Sequence, residues 1–301
     1  MQTTIVALGY QDNWMQILSS VFMRNALIGG TLVAFAAGLI GYFIVVRNNA
    51  FAAHALAHIG FPGATGAVLI GVPVSLGLAV FCIGGALVIG ALGKRADDRE
   101  IATGTVLAFA TGLGLFFSSQ ATKSSSTVTN VLFGNLLAVS TEQLVVFAAM
   151  VAVLAVVIAF IYRPLLFSSI NQEVAEARGV PVRALAMVFM ALLGLAITMA
   201  VQAVGTLLLF ALIVTPAATA IMLTARPGFA MALSTLLSVI GVWSGLVISA
   251  MFNVPPSFVI VTIVCLIWLV VWSVARRTES APKILQTTHG AVAAQSSAPI
   301  G

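Results

Sequence analysis

Apolar residues occur along this chain in long uninterrupted runs, without the regular polar positions that give a soluble helix or strand its wet face. About 20 such residues cross the hydrocarbon core of a bilayer as one helix. The predicted spans are residues 26–46, 50–70, 72–92, 101–117, 143–162, 184–204, 206–223, 229–252 and 257–275. The pattern therefore predicts an all-α, polytopic integral membrane protein of about eight to nine transmembrane helices.

The count depends on the 40 apolar residues between Arg183 and Arg226. As one helix this stretch would be about 60 Å long, twice the thickness of the hydrocarbon core. We therefore expect a turn around residues 202–205. A turn this short also leaves open a re-entrant piece, which would reduce the count to eight.

Composition excludes most other classes of protein. Hydrophobic residues make up 61% of the chain and charged residues only 7%, too few to cover a soluble globule of this size. The net charge of +5 does not indicate nucleic-acid binding, because the basic residues are spread between the apolar runs. The two cysteines, Cys82 and Cys265, lie in different spans and predict neither a disulfide framework nor a CxxC metal motif.

The basic residues predict the orientation. If the amino terminus lies outside, eleven of the thirteen Lys and Arg residues fall on the inner side and only Arg24 and Lys123 fall outside, as the positive-inside rule requires. The inner residues are Arg47, Lys94, Arg95, Arg99, Arg163, Arg178, Arg183, Arg226, Arg276, Arg277 and Lys283. We expect a multi-pass protein of a bacterial inner membrane, with one transmembrane domain at 1–277 and a disordered cytoplasmic tail at 278–301.

The stretch "NNAFAAHALAHIGFPGATGA" carries the main candidate site. His54 and His58 are four residues apart, so both imidazoles project from one face of the second span. Ionisable groups at membrane depth are functional candidates, and neutral imidazole suits zinc and similar metals. The alternative is that the histidines only hydrogen-bond a neighbouring helix. Ala55 replaces the general-base Glu of the HExxH motif, which argues against a protease.

Helix-breaking residues mark further candidates for a pore or a kink. Pro62 and Gly63 are expected to break or kink the second span and to free backbone carbonyls for a permeating ion, although a simple packing kink is the alternative. Asn135 is an amide within the apolar stretch "VLFGNLLAVS", and Pro216 is expected to kink its span.

The inner loop between the fifth and sixth spans predicts a short amphipathic helix over about residues 171–178, ended by Gly179 and Pro181. Such a helix can be the contact surface for a motor subunit. The alternative is an interfacial helix that lies on anionic lipid. The chain lacks the phosphate loop GxxxxGK[ST], so no catalytic residue is expected and ATP hydrolysis would need a separate polypeptide.

Taken together, four stretches in this order resemble the permease family of zinc and manganese ABC importers: "VRNNAFAAHALAHIGFPGA", "LFGNLLAVS", "EVAEARGV" and "VGTLLLFALIVTPAATA". The resemblance implies a homodimer, bound inside to an ATP-binding subunit and supplied outside by a metal-binding solute-binding protein. It also implies that the inner helix couples to the ATPase through a segment containing Glu173, Ala175, Ala177 and Gly179.

In that family the position of His54 is commonly Asp, followed by the His that aligns with His58. The departure leaves two nitrogen ligands, which favours zinc over manganese. The resemblance thus implies Zn²⁺, or Mn²⁺ or Fe²⁺, as transported substrate, with no permanently bound cofactor. The site would use both copies of the pair, or one copy with backbone oxygens. Two other classes remain open, a proton-coupled secondary metal transporter and a non-transporting membrane scaffold protein.

Overall fold

The computed structural model describes residues 14–93, 96–120, 131 and 133–279, with backbone alone at 96–99, 207, 208 and 277–279. These residues form eleven α-helices and no strand. The helices are α1 Trp14–Ser19, α2 Val21–Val46, α3 Ala50–Ile70, α4 Val74–Leu92, α5 Ala96–Gln120, α6 Thr141–Ile170, α7 Gln172–Ala177, α8 Val182–Val204, α9 Thr206–Leu223, α10 Pro227–Phe252 and α11 Pro256–Glu279.

Eight of these helices are long and apolar enough to cross a membrane, and α9 is a shorter apolar helix. The chain is therefore an all-α polytopic membrane protein, as the sequence predicts. The turn expected at 202–205 is present, because α8 ends at Val204 and Gly205 adopts φ +84° before α9 begins. The predicted tail lies outside the described residues from residue 280 onward.

Several spans are longer than predicted, among them α6 and α2. Helix α6 runs from Thr141 to Ile170 and passes through Pro164, where the prediction ended at residue 162. Its start is fixed by a capping box, in which the Ser140 hydroxyl accepts a hydrogen bond from the Gln143 N–H and the Gln143 side chain accepts one from the Ser140 N–H. Helix α2 starts at Val21, one turn before the predicted residue 26.

The bundle is built around α2 and α8, the two most enclosed helices together with α3. Helix α2 packs against α6, α8, α9 and α10, and α3 packs against α4, α5, α8 and α9. Helix α4 also lies along α8, while α9, α10 and α11 pack against one another. Large apolar side chains on the outer faces, such as Phe109 and Phe160, stay exposed in the isolated chain, as lipid contact requires.

Glycines allow several of these helices to touch backbone to backbone. A Cβ at Gly63 on α3 would collide with the carbonyl oxygen of Gly77 on α4. A Cβ at Gly38 on α2 would likewise collide with the backbone of Thr235 on α10. Small residues at these crossings are what membrane helices use to approach closely. The packing of α3 on α4 therefore fixes the position of the histidine helix.

Candidate metal site

The two histidines of α3 lie side by side, as their spacing predicts. The ring centroids of His54 and His58 are 5.0 Å apart, with an angle of 74° between the ring planes. Both side chains are half-buried in the isolated chain. They therefore form one nitrogen-bearing patch that a metal ion, a water molecule or a second chain can reach.

An aromatic ring of α9 packs against this patch. The Phe210 ring lies edge-on to His54, with centroids 5.8 Å apart and an interplanar angle of 87°. An edge-to-face contact of this kind restricts the orientation of the imidazole. Phe210 therefore holds one of the two candidate ligands in place, a role that the sequence pattern did not reveal.

The contact between His54 and Phe210 joins two antiparallel helices. In the predicted orientation, α3 starts at the inner side and α9 ends there. Beyond His54, α3 continues for about 24 Å towards Ile70, whereas α9 extends from Phe210 for only about 6 Å in the same direction before it reaches Thr206. The turn at Gly205 therefore lies little more than one helical turn from the residue that contacts His54.

Thr206 is the first residue of α9 and directly follows the turn at Gly205. It lies one helical turn before Phe210 on the same face of α9. On α3, His58 lies one turn after His54. Because the two helices are antiparallel, Thr206 and His58 are displaced from the ring contact in the same direction. Its side chain is fully buried, and its hydroxyl has no hydrogen-bond partner among the residues that the structure describes. A buried hydroxyl left unpaired is costly. One feature of the sequence points to it, a polar residue directly after the glycine of the turn.

Pro62 does not break α3, contrary to one of the two predicted outcomes. The helix is continuous from Ala50 to Ile70. Proline removes one helical hydrogen bond, and packing against the surrounding helices makes this loss tolerable. The removed bond is the one that would reach the carbonyl of residue 58. The backbone oxygen of His58 thus lacks its usual helical donor, one helical turn from the proline. Gly63 serves the contact with Gly77 described above.

Two further predicted pore residues lie elsewhere. Pro216 lies within a continuous α9, between Phe210 and the end of the helix at Leu223. Asn135 lies at the outer end of the bundle, where its N–H donates to the carbonyl of Gln202 at 3.4 Å. It lines an outer cavity of about 620 Å³ together with Glu142 and Gln202. The structure therefore does not bring Asn135 to the histidines.

The outer turn that contains Asn135 packs against the start of α9. Gly134 adopts φ +70°, and a Cβ there would collide with the backbone of Gly205. Two glycines with positive φ thus touch where the stretch "LFGNLLAVS" meets the turn between α8 and α9. Two motifs that are far apart in the sequence form a single structural unit.

The donor set at the histidines is small. No group of three His, Cys, Asp or Glu side chains that could hold a metal ion occurs among the described residues. Helices α3 and α9 contain no Asp, Glu, Lys or Arg. The donors that one chain offers here are two imidazoles and the carbonyl of His58 freed by Pro62. The hydroxyl of Thr206, one helical turn from Phe210, is a candidate for a further donor. Two nitrogens with weak oxygen donors form an incomplete coordination shell for a divalent metal.

Comparison with known proteins identifies the family. Residues 19–275 match the ABC 3 transport family. The chain belongs to this family. It is 32% identical over 240 residues to the manganese transport system membrane protein MntC of Halalkalibacterium halodurans, covering 79% of this chain and 82% of that protein. It is 31% identical over 255 residues to the manganese import system permease protein ScaB of Streptococcus gordonii, covering 84% and 91%.

A solved structure has the same fold. The chain superimposes on a chain of PsaBC from Streptococcus pneumoniae in complex with Fab with a TM-score of 0.77 and 29% sequence identity. The match covers 86% of this chain and 94% of that chain. Membership of the ABC 3 transport family therefore extends to the arrangement of the helices.

In this member of the ABC 3 transport family, the predicted inner helix is α7. The Asn171 side chain caps it by accepting a hydrogen bond from the Val174 N–H at 3.0 Å. Glu173 and Ala177 are exposed, whereas Ala175 is fully buried. Gly179 ends the segment with φ +79° and open space around it. Helix α7 is thus anchored on one side and presents an acidic side chain on the other.

Proposed function

We propose that this chain is the membrane-embedded permease of an ATP-driven importer of a divalent transition metal, in which His54 and His58 bind the metal during its passage. The observation that carries the proposal is the pair of adjacent imidazoles on a membrane-spanning helix. Ionisable side chains are retained at this depth where they bind a substrate or line its path. Family membership supports the transport function, and the pair supports the substrate class.

An incomplete coordination shell suits transport. A metal that must be released cannot be held by four strong ligands. Two imidazoles with the His58 carbonyl and the Thr206 hydroxyl give a weak site in one chain, and the same pair in a second copy would complete it. We infer that two copies of the chain face each other with their histidine patches across the metal path, in a bacterial inner membrane.

Two metals are supported by different observations. The nitrogen donors favour zinc over manganese, because imidazole is a borderline ligand and manganese prefers oxygen. The relatives named above carry manganese in their names, which favours manganese. We propose zinc as the first substrate and manganese as the second candidate.

The partners follow from the same proposal. ATP would be hydrolysed by a separate cytoplasmic subunit that contacts α7 through Glu173 and Ala177. An extracytoplasmic solute-binding protein would deliver the metal to the outer end of the bundle. The outer cavity beside Asn135 and Glu142 is the concavity that such a delivery would meet.

The test is uptake of radioactive zinc into vesicles that contain the chain with its ATP-binding subunit, with manganese as competitor. The variants are His54→Ala, His58→Ala and the double variant, at equal expression. His289, the third histidine of the chain, supplies the matched control. We expect the double variant to lose uptake while His289→Ala behaves as wild type.

Each possible result has a distinct meaning. Unchanged uptake in the double variant would refute the role of the histidines. Zinc uptake by the wild type that proceeds without ATP and follows a proton gradient would support a secondary transporter. If manganese inhibits the uptake of radioactive zinc at a lower concentration than unlabelled zinc does, manganese becomes the first candidate and zinc the second.

A further inference from the structure

Arg47 connects three inner ends of the bundle. It follows α2, and its Nη1 atom donates hydrogen bonds to Ser168 Oγ at 3.1 Å and to Ser169 Oγ at 3.0 Å, both at the end of α6. Its guanidinium also lies over the ring of Phe189 on α8, 5.4 Å from the centroid. Arginine is suited to such multiple contacts because its planar guanidinium offers several donors in fixed directions.

On one side of this contact lies the segment expected to meet the ATPase. Ser169 is followed by Ile170, the last residue of α6, and then by Asn171, which caps α7. The serines thus stand within a few residues of α7. A displacement of α7 would move the oxygens that Arg47 binds.

On the other side of Arg47 lies the histidine helix. The elbow between α2 and α3 is short and closed by backbone hydrogen bonds, since the Asn49 N–H donates to the Ile44 carbonyl and the Ala53 N–H donates to the Asn49 carbonyl, both at 2.9 Å. Asn49 is only 2% exposed. His54 follows Arg47 by seven residues, with no flexible linker between them. A displacement of Arg47 would therefore be passed to α3.

Space for such a displacement exists beside these contacts. A cleft of about 500 Å³ opens between α7 and the inner ends of α4 and α8, with Arg47, Glu176 and Arg183 in its wall. Helix α7 is therefore not packed tightly against α4 on this side. Movement of α7 into or out of the cleft would pull on the end of α6.

We infer that Arg47 is a positioning residue that transmits movement of α7 to the histidine helix α3, and so ties metal release to the ATPase. This inference rests on the proposed function, because it requires an ATPase at α7. Hydrogen bonds from a charged donor are roughly twice as strong as neutral ones, so the link can carry a displacement without breaking. Loss of the link should uncouple the two activities instead of stopping either one.

The test measures the ratio of metal imported to ATP hydrolysed in vesicles with the ATP-binding subunit. The variants are Arg47→Gln, Arg47→Lys and Ser168→Ala/Ser169→Ala. Arg226→Gln, an exposed inner arginine at the start of α10, is the matched control. We expect Arg47→Gln and the double serine variant to lower the ratio several-fold while ATP hydrolysis continues. Arg47→Lys should lower it less, and Arg226→Gln should leave it unchanged.

Combining the arginine and serine substitutions separates a link from a simple loss of stability. If Arg47 acts through the serines, the combined variant should have the same ratio as Arg47→Gln alone. An unchanged ratio, equal losses of uptake and ATP hydrolysis, or additive effects would overturn the inference. Failure of the proposed function would be seen elsewhere, in a wild type without ATP-dependent uptake or in histidine variants that transport normally.

Discussion

The Phe210 ring stands nearly perpendicular to the imidazole of His54, 5.8 Å away between centroids. The two residues belong to antiparallel helices, and each lies near the start of its own helix. Their contact joins α3 to α9 at the level of the candidate metal site. Any relative movement of these two helices must change the surroundings of His54.

We expect Phe210→Ala to weaken metal binding more than Phe210→Leu does. The alanine variant leaves His54 free to rotate, whereas leucine retains most of the packing. Loss of a residue that orients a ligand typically costs about 10- to 100-fold in metal affinity. The metal concentration for half-maximal uptake measures the effect. Equal values for both variants would show that the ring does not position the imidazole.

Thr206→Val should raise the metal concentration for half-maximal uptake, while Thr206→Ser should keep it near the wild-type value. Valine has nearly the same shape as threonine and removes only the hydroxyl. Ser234 on α10 provides the control, since its buried hydroxyl also has no partner among the described residues. Ser234→Ala should leave uptake unchanged. A normal Thr206→Val variant would remove the hydroxyl from the donor set.

Uptake should fall as the outer pH is lowered from 7.5 to 5.5. A histidine ligand must be neutral to bind metal, because a proton competes with the metal for the same ring nitrogen. Metal binding is therefore favoured at the higher pH and lost as acid protonates the imidazoles. The measurement is initial uptake at fixed free metal concentration, with ATP hydrolysis recorded in parallel. Uptake that is insensitive to acid over this range would argue against imidazole ligation.

Gly63→Ala and Gly77→Ala should destabilise the protein, because each added methyl group meets the backbone of the opposing helix. Overpacking of this kind costs about 1 to 3 kcal/mol. Gly84 on the same helix α4 has open space around it, so Gly84→Ala is the matched control. Thermal unfolding in detergent should show a lower midpoint for the first two variants only. Three equal midpoints would mean that α3 and α4 separate easily.

Glu173→Lys should weaken association with the ATP-binding subunit without affecting folding, because its side chain is exposed on α7. Ala175→Leu should instead displace α7, since Ala175 is fully buried. Co-purification of the ATP-binding subunit and thermal unfolding of the permease alone distinguish these effects. If Glu173→Lys retains full association, α7 does not use this side chain as a contact.

Much of this fold could be predicted from the sequence because membrane helices are defined by length and hydrophobicity. The turn near Gly205 followed from the excessive length of one apolar stretch, and the adjacency of His54 and His58 followed from helical spacing. The short helix before Gly179 followed from its stop signals, Gly179 and Pro181. Each of these features is determined by residues that are close together in the chain.

The parts that could not be predicted depend on contacts between distant segments. The contact of Phe210 with His54 joins helices that are far apart in the chain, and hydropathy does not record such contacts. Arg47 looked like one more inner positive charge, because its bonds to Ser168 and Ser169 join residues more than 100 positions apart. Of the break or kink expected at Pro62, the break did not occur, because neighbouring helices support the chain there.

The contact between the turns at Gly134 and Gly205 also has a consequence for hydration. Irregular backbone has peptide groups that a low-dielectric environment penalises when they are left without partners. In a membrane protein such backbone persists only where it is enclosed by protein or meets water. The turn at Gly134 encloses the one at Gly205, since a Cβ at Gly134 would collide with the Gly205 backbone. The peptide groups that connect α8 to α9 are therefore shielded from lipid by the neighbouring turn.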